Sequence, residues 1–156
     1  MPDSHANLRR IFAHQSVEAA RNRRRAKAAE AGGDPTRAGL FRALAAGQTV
    51  HAQKILLLLE SGGDQASPAD VAETLAALVD ELQDMVMTAA SDRDAAAEST
   101  LLHVMKASMN HRSKAAAEPA ARYLVCSICG LLAPNQPPER CPVCRAAAEL
   151  FQAVEG

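Results

Sequence analysis

YLVCSICGLLAPNQPPERCPVC, residues 123–144, contains every cysteine of the 156-residue chain. They fall in two pairs, Cys126-x2-Cys129 and Cys141-x2-Cys144. A CxxC turn places its two sulfurs on one side, with backbone N–H groups pointing at them and offsetting their charge. Two such knuckles therefore present four thiolates to a single ion. In a reducing cytosol this pattern is more naturally a metal site than a pair of disulfides. A tetrahedral set of four sulfurs suits iron and zinc about equally, so the spacing leaves both open. Residues 123–156 carry too few large apolar side chains to form a core alone, and their folding should depend on the ion.

Upstream of this segment the composition changes. Residues 1–117 hold no cysteine and are rich in Ala, Leu, Glu, Arg and Gln, with no Trp and few β-branched residues, a composition of packed helices. The expected organisation is a helical domain over 1–117, a linker over 118–122 and a metal-binding module over 123–156.

Turn chemistry divides the first part into four helices. The first runs from about Ser4 to Ala31 and stops at Gly32-Gly33. Asp34-Pro35 supplies an N-cap and a first-turn proline for the second, which continues to Glu60 and ends at Ser61-Gly62-Gly63. Ser67-Pro68-Ala69-Asp70 repeats the start signal for a third helix to about Ala90. Ser91-Asp92-Arg93-Asp94 turns the chain into a fourth, which reaches about Ala117 before Glu118-Pro119 breaks it.

Helical spacing assigns the expected buried faces. On the second helix the stripe is Leu40, Phe41, Leu44, Gln48, His51, Ile55, Leu58 and Leu59, which points Gln48 and His51 inward. On the third it is Val71, Leu75, Leu78, Leu82 and Met85, and on the fourth Leu101, Leu102, Met105, Ser108 and Met109. Met85, Met87, Met105 and Met109 read as packing residues. Four amphipathic helices with short connections suggest a four-helix bundle. The loop from Ser61 to Ser67 is too short for a full ferritin-type crossover unless helices two and three pair differently from a simple up-and-down bundle.

Charge excludes some function classes. The formal net charge is −1 and the isoelectric point about 6.5, so no global field draws the chain to nucleic acid or an anionic membrane. The start of the chain lacks the features of a secretory signal, and no apolar run approaches the roughly 18 residues of a transmembrane span. A cytoplasmic protein without membrane insertion is the expectation. Arg21, Arg23, Arg24, Arg25 and Lys27 form a basic run on the first helix. It reads as a solvated face or as a dock for an acidic redox partner, and not as a nucleic-acid site, since no aromatics interleave it.

The stretch Tyr123–Glu155, with CSICG, PPERCPVC and Phe151, resembles the rubredoxin-like tail of rubrerythrins. Two departures stand out: Leu131 occupies a position usually aromatic, and Arg145-Ala146-Ala147 replaces the usual Gly-Ala-Pro. Leu40-Phe41-Arg42-Ala43-Leu44-Ala45 followed by Val50-His51-Ala52 resembles the second helix of the family's ferritin-like domain. Gly33, Pro35 and Asn7-Leu8 then align with their family equivalents. The resemblance is specific over residues 5–60 and 123–155 and loose between 65 and 117. It implies a ferritin-like four-helix bundle followed by a rubredoxin-like domain, and one iron on Cys126, Cys129, Cys141 and Cys144 that passes electrons to a di-iron centre in the bundle. It also implies a homo-oligomer, since in related proteins the tail reaches the bundle of a neighbouring subunit.

The carboxylates that a di-iron centre needs are largely missing. By the same alignment, Gln15 and Gln48 stand where the first and second helices use glutamate, and Ser108 stands three residues before His111 where another is expected. Only the third helix retains acidic candidates, Glu81 and Asp84. The expectation is a lost di-iron site whose glutamines and histidines form a hydrogen-bonded cluster, with no second metal in the bundle. The alternatives are a single ion on His51, Glu81, Asp84 and His111, or conventional peroxide reduction. The expected function is an electron carrier or redox subunit serving a partner protein or a larger complex. The competing readings are a peroxide-reducing rubrerythrin with an altered site and a zinc-ribbon structural subunit.

Overall fold

The computed structural model describes residues 4–60 and 66–154. Its elements are α1 (Ser4–Ala31), α2 (Pro35–Leu59), α3 (Pro68–Ser91), α4 (Ala95–Ala115), β1 (Tyr123–Cys126), β2 (Leu132–Pro134), a 3-10 turn (Ala148–Leu150) and β3 (Phe151–Ala153). The mainly α architecture with a small knuckle module at the C-terminus is as expected. The expected stop at Ser61-Gly62-Gly63 lies outside the described residues. Among the described residues no helix is long and apolar enough to cross a membrane.

Contacts divide the chain into two compact units, Met1–Gln65 and Ala66–Gly156. The first is the α1–α2 hairpin. Its turn is a Schellman motif: Gly33 takes φ 76°, its N–H donates to Glu30 O at 3.0 Å, and Asp34 N–H donates to Ala29 O at 2.9 Å. Asp34 then caps α2 by accepting from Arg37 N–H at 2.9 Å. The second unit contains the α3–α4 hairpin, whose turn repeats this geometry with Arg93 at φ 58° in the glycine place and Asp94 as the cap accepting from Ala97 N–H. Ser67 and Asp70 form a reciprocal capping box at the start of α3. The two hydrogen bonds from Ser67 hold the Asp70 carboxyl below its usual range.

Packing within the first hairpin departs from the expected stripe. The buried residues are small: Ala19, Asn22 and Ala26 on α1 meet Ala38, Ala45 and Ala52 on α2. Alanines at intervals of seven let two backbones approach closely, and Asn22 Nδ2 donates to Gln48 Oε1 across the seam at 2.9 Å. Of the expected stripe, Phe41, Ile55 and Leu59 are half-buried, whereas Leu44, Leu40 at 58 %, Leu58 at 64 % and His51 are exposed. Apolar periodicity locates a greasy face, but not the surface that covers it. In the other hairpin Leu82, Ala89, Ala107 and Ser108 are buried, whereas Val71, Leu78, Met85, Met87 and Met109 are exposed, so most of the methionines are not packing residues within the unit.

The module lies in the same unit as α3 and α4. Its sheet has the order β2-β1-β3, antiparallel throughout, with Leu124 opposite Ala133 and Ala153. Leu124, Leu131, Ala133 and Phe151 pack with Cys126 and Cys141 in a core of minimal size. Leu131, at the position the resemblance gives as usually aromatic, is 5 % exposed and fills this core.

Candidate metal centre

Two equivalent knuckles build the site. In the first, Gly130 N–H donates to Cys126 O at 2.9 Å and Cys126 N–H donates to Leu131 O at 2.9 Å. In the second, Arg145 N–H donates to Cys141 O at 2.9 Å and Cys141 N–H donates to Ala146 O at 2.8 Å. Each knuckle ends on a left-handed residue, Gly130 at φ 80° and Arg145 at φ 65°. That conformation reverses the chain so that the next N–H faces the sulfur just passed: Leu131 N–H bonds Cys129 and Ala146 N–H bonds Cys144.

The four sulfurs converge. All lie within 4.8 Å of one another, and the Cys126–Cys144 and Cys129–Cys141 Sγ pairs are each 3.6 Å apart. That separation is too long for a disulfide of about 2.05 Å. It matches the edge of about 3.8 Å in a tetrahedron whose metal–sulfur bonds are about 2.3 Å. The donor set therefore fits one tetrahedral thiophilic ion, iron or zinc. Cys126 and Cys141 are sealed at 1 % and 0 % exposure, whereas Cys129 and Cys144 form a half-buried edge beside the exposed Ile128.

Protons compete for these sulfurs when no ion is bound. Burial pushes the Cys126 thiol up, but the N–H groups of Cys129 and Ile128 and the adjacent thiols outweigh it and leave it lowered to about 7. At Cys129 burial dominates over the bond from Leu131 N–H, and the thiol is pushed up to about 12. Cys144 is also raised, chiefly by burial. Taking up an ion must displace these protons.

The helical candidates are dispersed within their units. His51 lies on the exposed face of α2. Glu81 and Asp84 line a groove between α3 and α4 with Met85, Asp92 and Asp94, while His111 lines a different one with Val71, Leu75 and Tyr123. Within each unit, among the described residues, the four cysteines are the one group of three or more Cys, His, Asp or Glu side chains close enough to share an ion. Gln48 is occupied by Asn22, Ser108 is buried, and Gln15 Oε1 is buried with no partner among the described residues. In the basic run, Arg21 and Arg25 both reach Glu18, at 2.6 and 3.4 Å, and Arg23 donates to Thr49 Oγ1.

Sequence reasoning missed the grip of α4 on the first knuckle. His111 Nε2 lies 2.7 Å from Gly130 O, and Asn110 Oδ1 accepts from Leu132 N–H at 2.9 Å. The adjacent polar pair Asn110-His111 was the only signal, and nothing in helical periodicity connects it to a loop 19 residues on.

The family model for the rubrerythrin, rubredoxin-like domain matches residues 125–152. Among solved structures the chain is similar to nigerythrin in its fully reduced, all-ferrous state and in its partially reduced state, each at 20 % identity and a TM-score of 0.48. Each alignment covers 99 % of this chain and 88 % of nigerythrin. No curated protein matches. Residues 125–152, with their four converging sulfurs and paired knuckles, are a rubredoxin-like domain of the rubrerythrin kind.

Proposed function

We propose that the chain is a rubrerythrin-like electron-transfer protein of the cytoplasm, holding one iron on Cys126, Cys129, Cys141 and Cys144, with its bundle di-iron site lost. The observation that carries this reading is the closed, converging four-sulfur set in a module of the rubrerythrin kind. An iron held there supplies a one-electron couple and no open coordination position for substrate. The residues around it suit outer-sphere exchange. Cys126 and Cys141 are shut from water, and the half-buried edge of Cys129 and Cys144 is the side from which an electron leaves. Ile128, 61 % exposed at that edge, offers a partner protein an apolar contact.

Loss of bundle chemistry is supported by the amides and hydroxyl at Gln15, Gln48 and Ser108, which cannot neutralise two ferrous ions as carboxylates do. Assembly with further copies is supported by the large apolar side chains exposed on each hairpin, Leu40, Leu44 and Leu58 on one and Leu78, Met85 and Met109 on the other. Sedimentation of wild type against Leu44→Glu/Leu58→Glu tests that assembly, the variant sedimenting as a smaller species.

The test of the function is stopped-flow oxidation of the reduced protein. Peroxide should reoxidise it slowly, at a rate unchanged in Glu81→Ala/Asp84→Ala, while a one-electron protein acceptor should reoxidise it rapidly. Peroxide turnover at the rate of an intact di-iron enzyme would overturn the proposal.

A further inference from the structure

Two consecutive peptide units at the end of the first knuckle are each held at both ends. The Gly130–Leu131 peptide accepts from His111 Nε2 at its oxygen, at 2.7 Å, and gives its N–H to Cys129 Sγ. The Leu131–Leu132 peptide accepts from Cys126 N–H at its oxygen and gives its N–H to Asn110 Oδ1, both at 2.9 Å. A carbonyl oxygen can only accept, so His111 Nε2 carries its proton. The second knuckle has a counterpart: Arg140 Nη1 donates to Arg145 O at 3.3 Å, and the other end of that peptide, Ala146 N–H, bonds Cys144 Sγ.

A peptide is one conjugated unit, and pulling density toward its oxygen makes its N–H a stronger donor. Bonds linked in this way strengthen one another by roughly 10–30 %. Hydrogen bonds to the sulfurs are among the levers that set the potential of a thiolate iron centre, because they favour the more negative, reduced form. We propose that His111 is a positioning residue for the cysteine centre: by donating to the Gly130 carbonyl it strengthens the Leu131 N–H···Sγ bond to Cys129 and favours the reduced state. This rests on the electron-transfer reading above, but its structural half, the coupling of His111 to Leu131 N–H, does not need iron. Asn110 grips the neighbouring peptide, whose N–H points away from the sulfurs, so it anchors the module without entering this relay.

The experiment compares wild type with His111→Leu, His111→Gln and Asn110→Ala, using the amide proton of Leu131 in the zinc-loaded full chain and the midpoint potential of the iron-loaded full chain. His111→Leu should move the Leu131 proton upfield, speed its exchange and lower the reduction equilibrium constant about threefold, which is ~28 mV at the ~59 mV per decade of a one-electron couple. His111→Gln, which keeps a donor at similar reach, should restore both values. Asn110→Ala should speed exchange at Leu132 and leave Leu131 and the potential at wild-type values. Wild-type values in His111→Leu, or an equal effect from Asn110→Ala, would overturn the proposal. Should His111→Leu fail to fold, His111→Gln decides: retention of both values supports the relay, and their loss refutes it. A wild-type protein lacking any one-electron couple would instead refute the electron-transfer reading, with the Leu131 proton still deciding the relay.

Discussion

Arg145→Gly should tighten metal binding by the module. Arg145 holds φ 65° at the position where the first knuckle has Gly130 at φ 80°. The left-handed region costs a residue with a Cβ roughly 1–2 kcal/mol, and glycine nothing comparable. Part of that gain is returned because glycine frees the unfolded chain, by about 0.4–1 kcal/mol. The net stabilisation is about 0.5–1 kcal/mol. Because folding and metal binding are one equilibrium in so small a core, it should emerge as a roughly two- to fivefold lower metal dissociation constant. The converse variant, Gly130→Ala, introduces a Cβ that meets nothing within 4 Å, so its cost is conformational alone and should weaken binding by a similar factor. Competition of zinc between the full chain and a chromophoric chelator at constant pH measures both. Equal or weaker binding by Arg145→Gly would refute the equivalence of the two knuckles.

Other outcomes follow from the same geometry. Cys141→Ser removes a sealed thiolate and should abolish metal binding and amide protection in residues 123–154, while circular dichroism reports helices largely intact; protection persisting without metal would contradict a metal-dependent module. Metal affinity should rise steeply with pH between about 6 and 8, since Cys126 at about 7 and the raised Cys129 and Cys144 thiols must all lose protons on binding, and the proton count should be largest on the acid side. Isothermal titration in two buffers of different ionisation enthalpy counts those protons. Gln48→Leu should destabilise the α1–α2 hairpin by about 1–3 kcal/mol through the stranded Asn22 amide, and Asn22→Leu/Gln48→Leu by less than the sum of the single changes in thermal melts.

Local chemistry was legible where the sequence states it locally. Asp34-Pro35, Ser67-Pro68 and Asp94 cap the helices they announce, and the four cysteines meet as their spacing implies. What failed depends on partners distant in sequence. The stripe through Leu40, Leu44 and Leu58 is apolar, yet the fully buried residues of α2 are Ala38, Ala45 and Ala52, because small residues allow the closer approach to α1. The burial of Leu131 has no local signal, since only the assembled sheet brings it into one core with Leu124 and Phe151. The left-handed Arg93 and Arg145 carry no compositional signal, since arginine is not a residue that such a conformation selects. The contact of His111 with Gly130 joins a helix to a loop, which no periodicity encodes.

In the proposed function the four cysteines serve one-electron exchange and not merely structure. Metal analysis of protein isolated at native expression level, joined to a reductive titration of its visible spectrum, tests it most directly. One-electron exchange requires one iron per chain, a red oxidised form that bleaches on uptake of a single electron, and colour that returns with a protein acceptor. One colourless zinc per chain, with no reducible absorption, would contradict it.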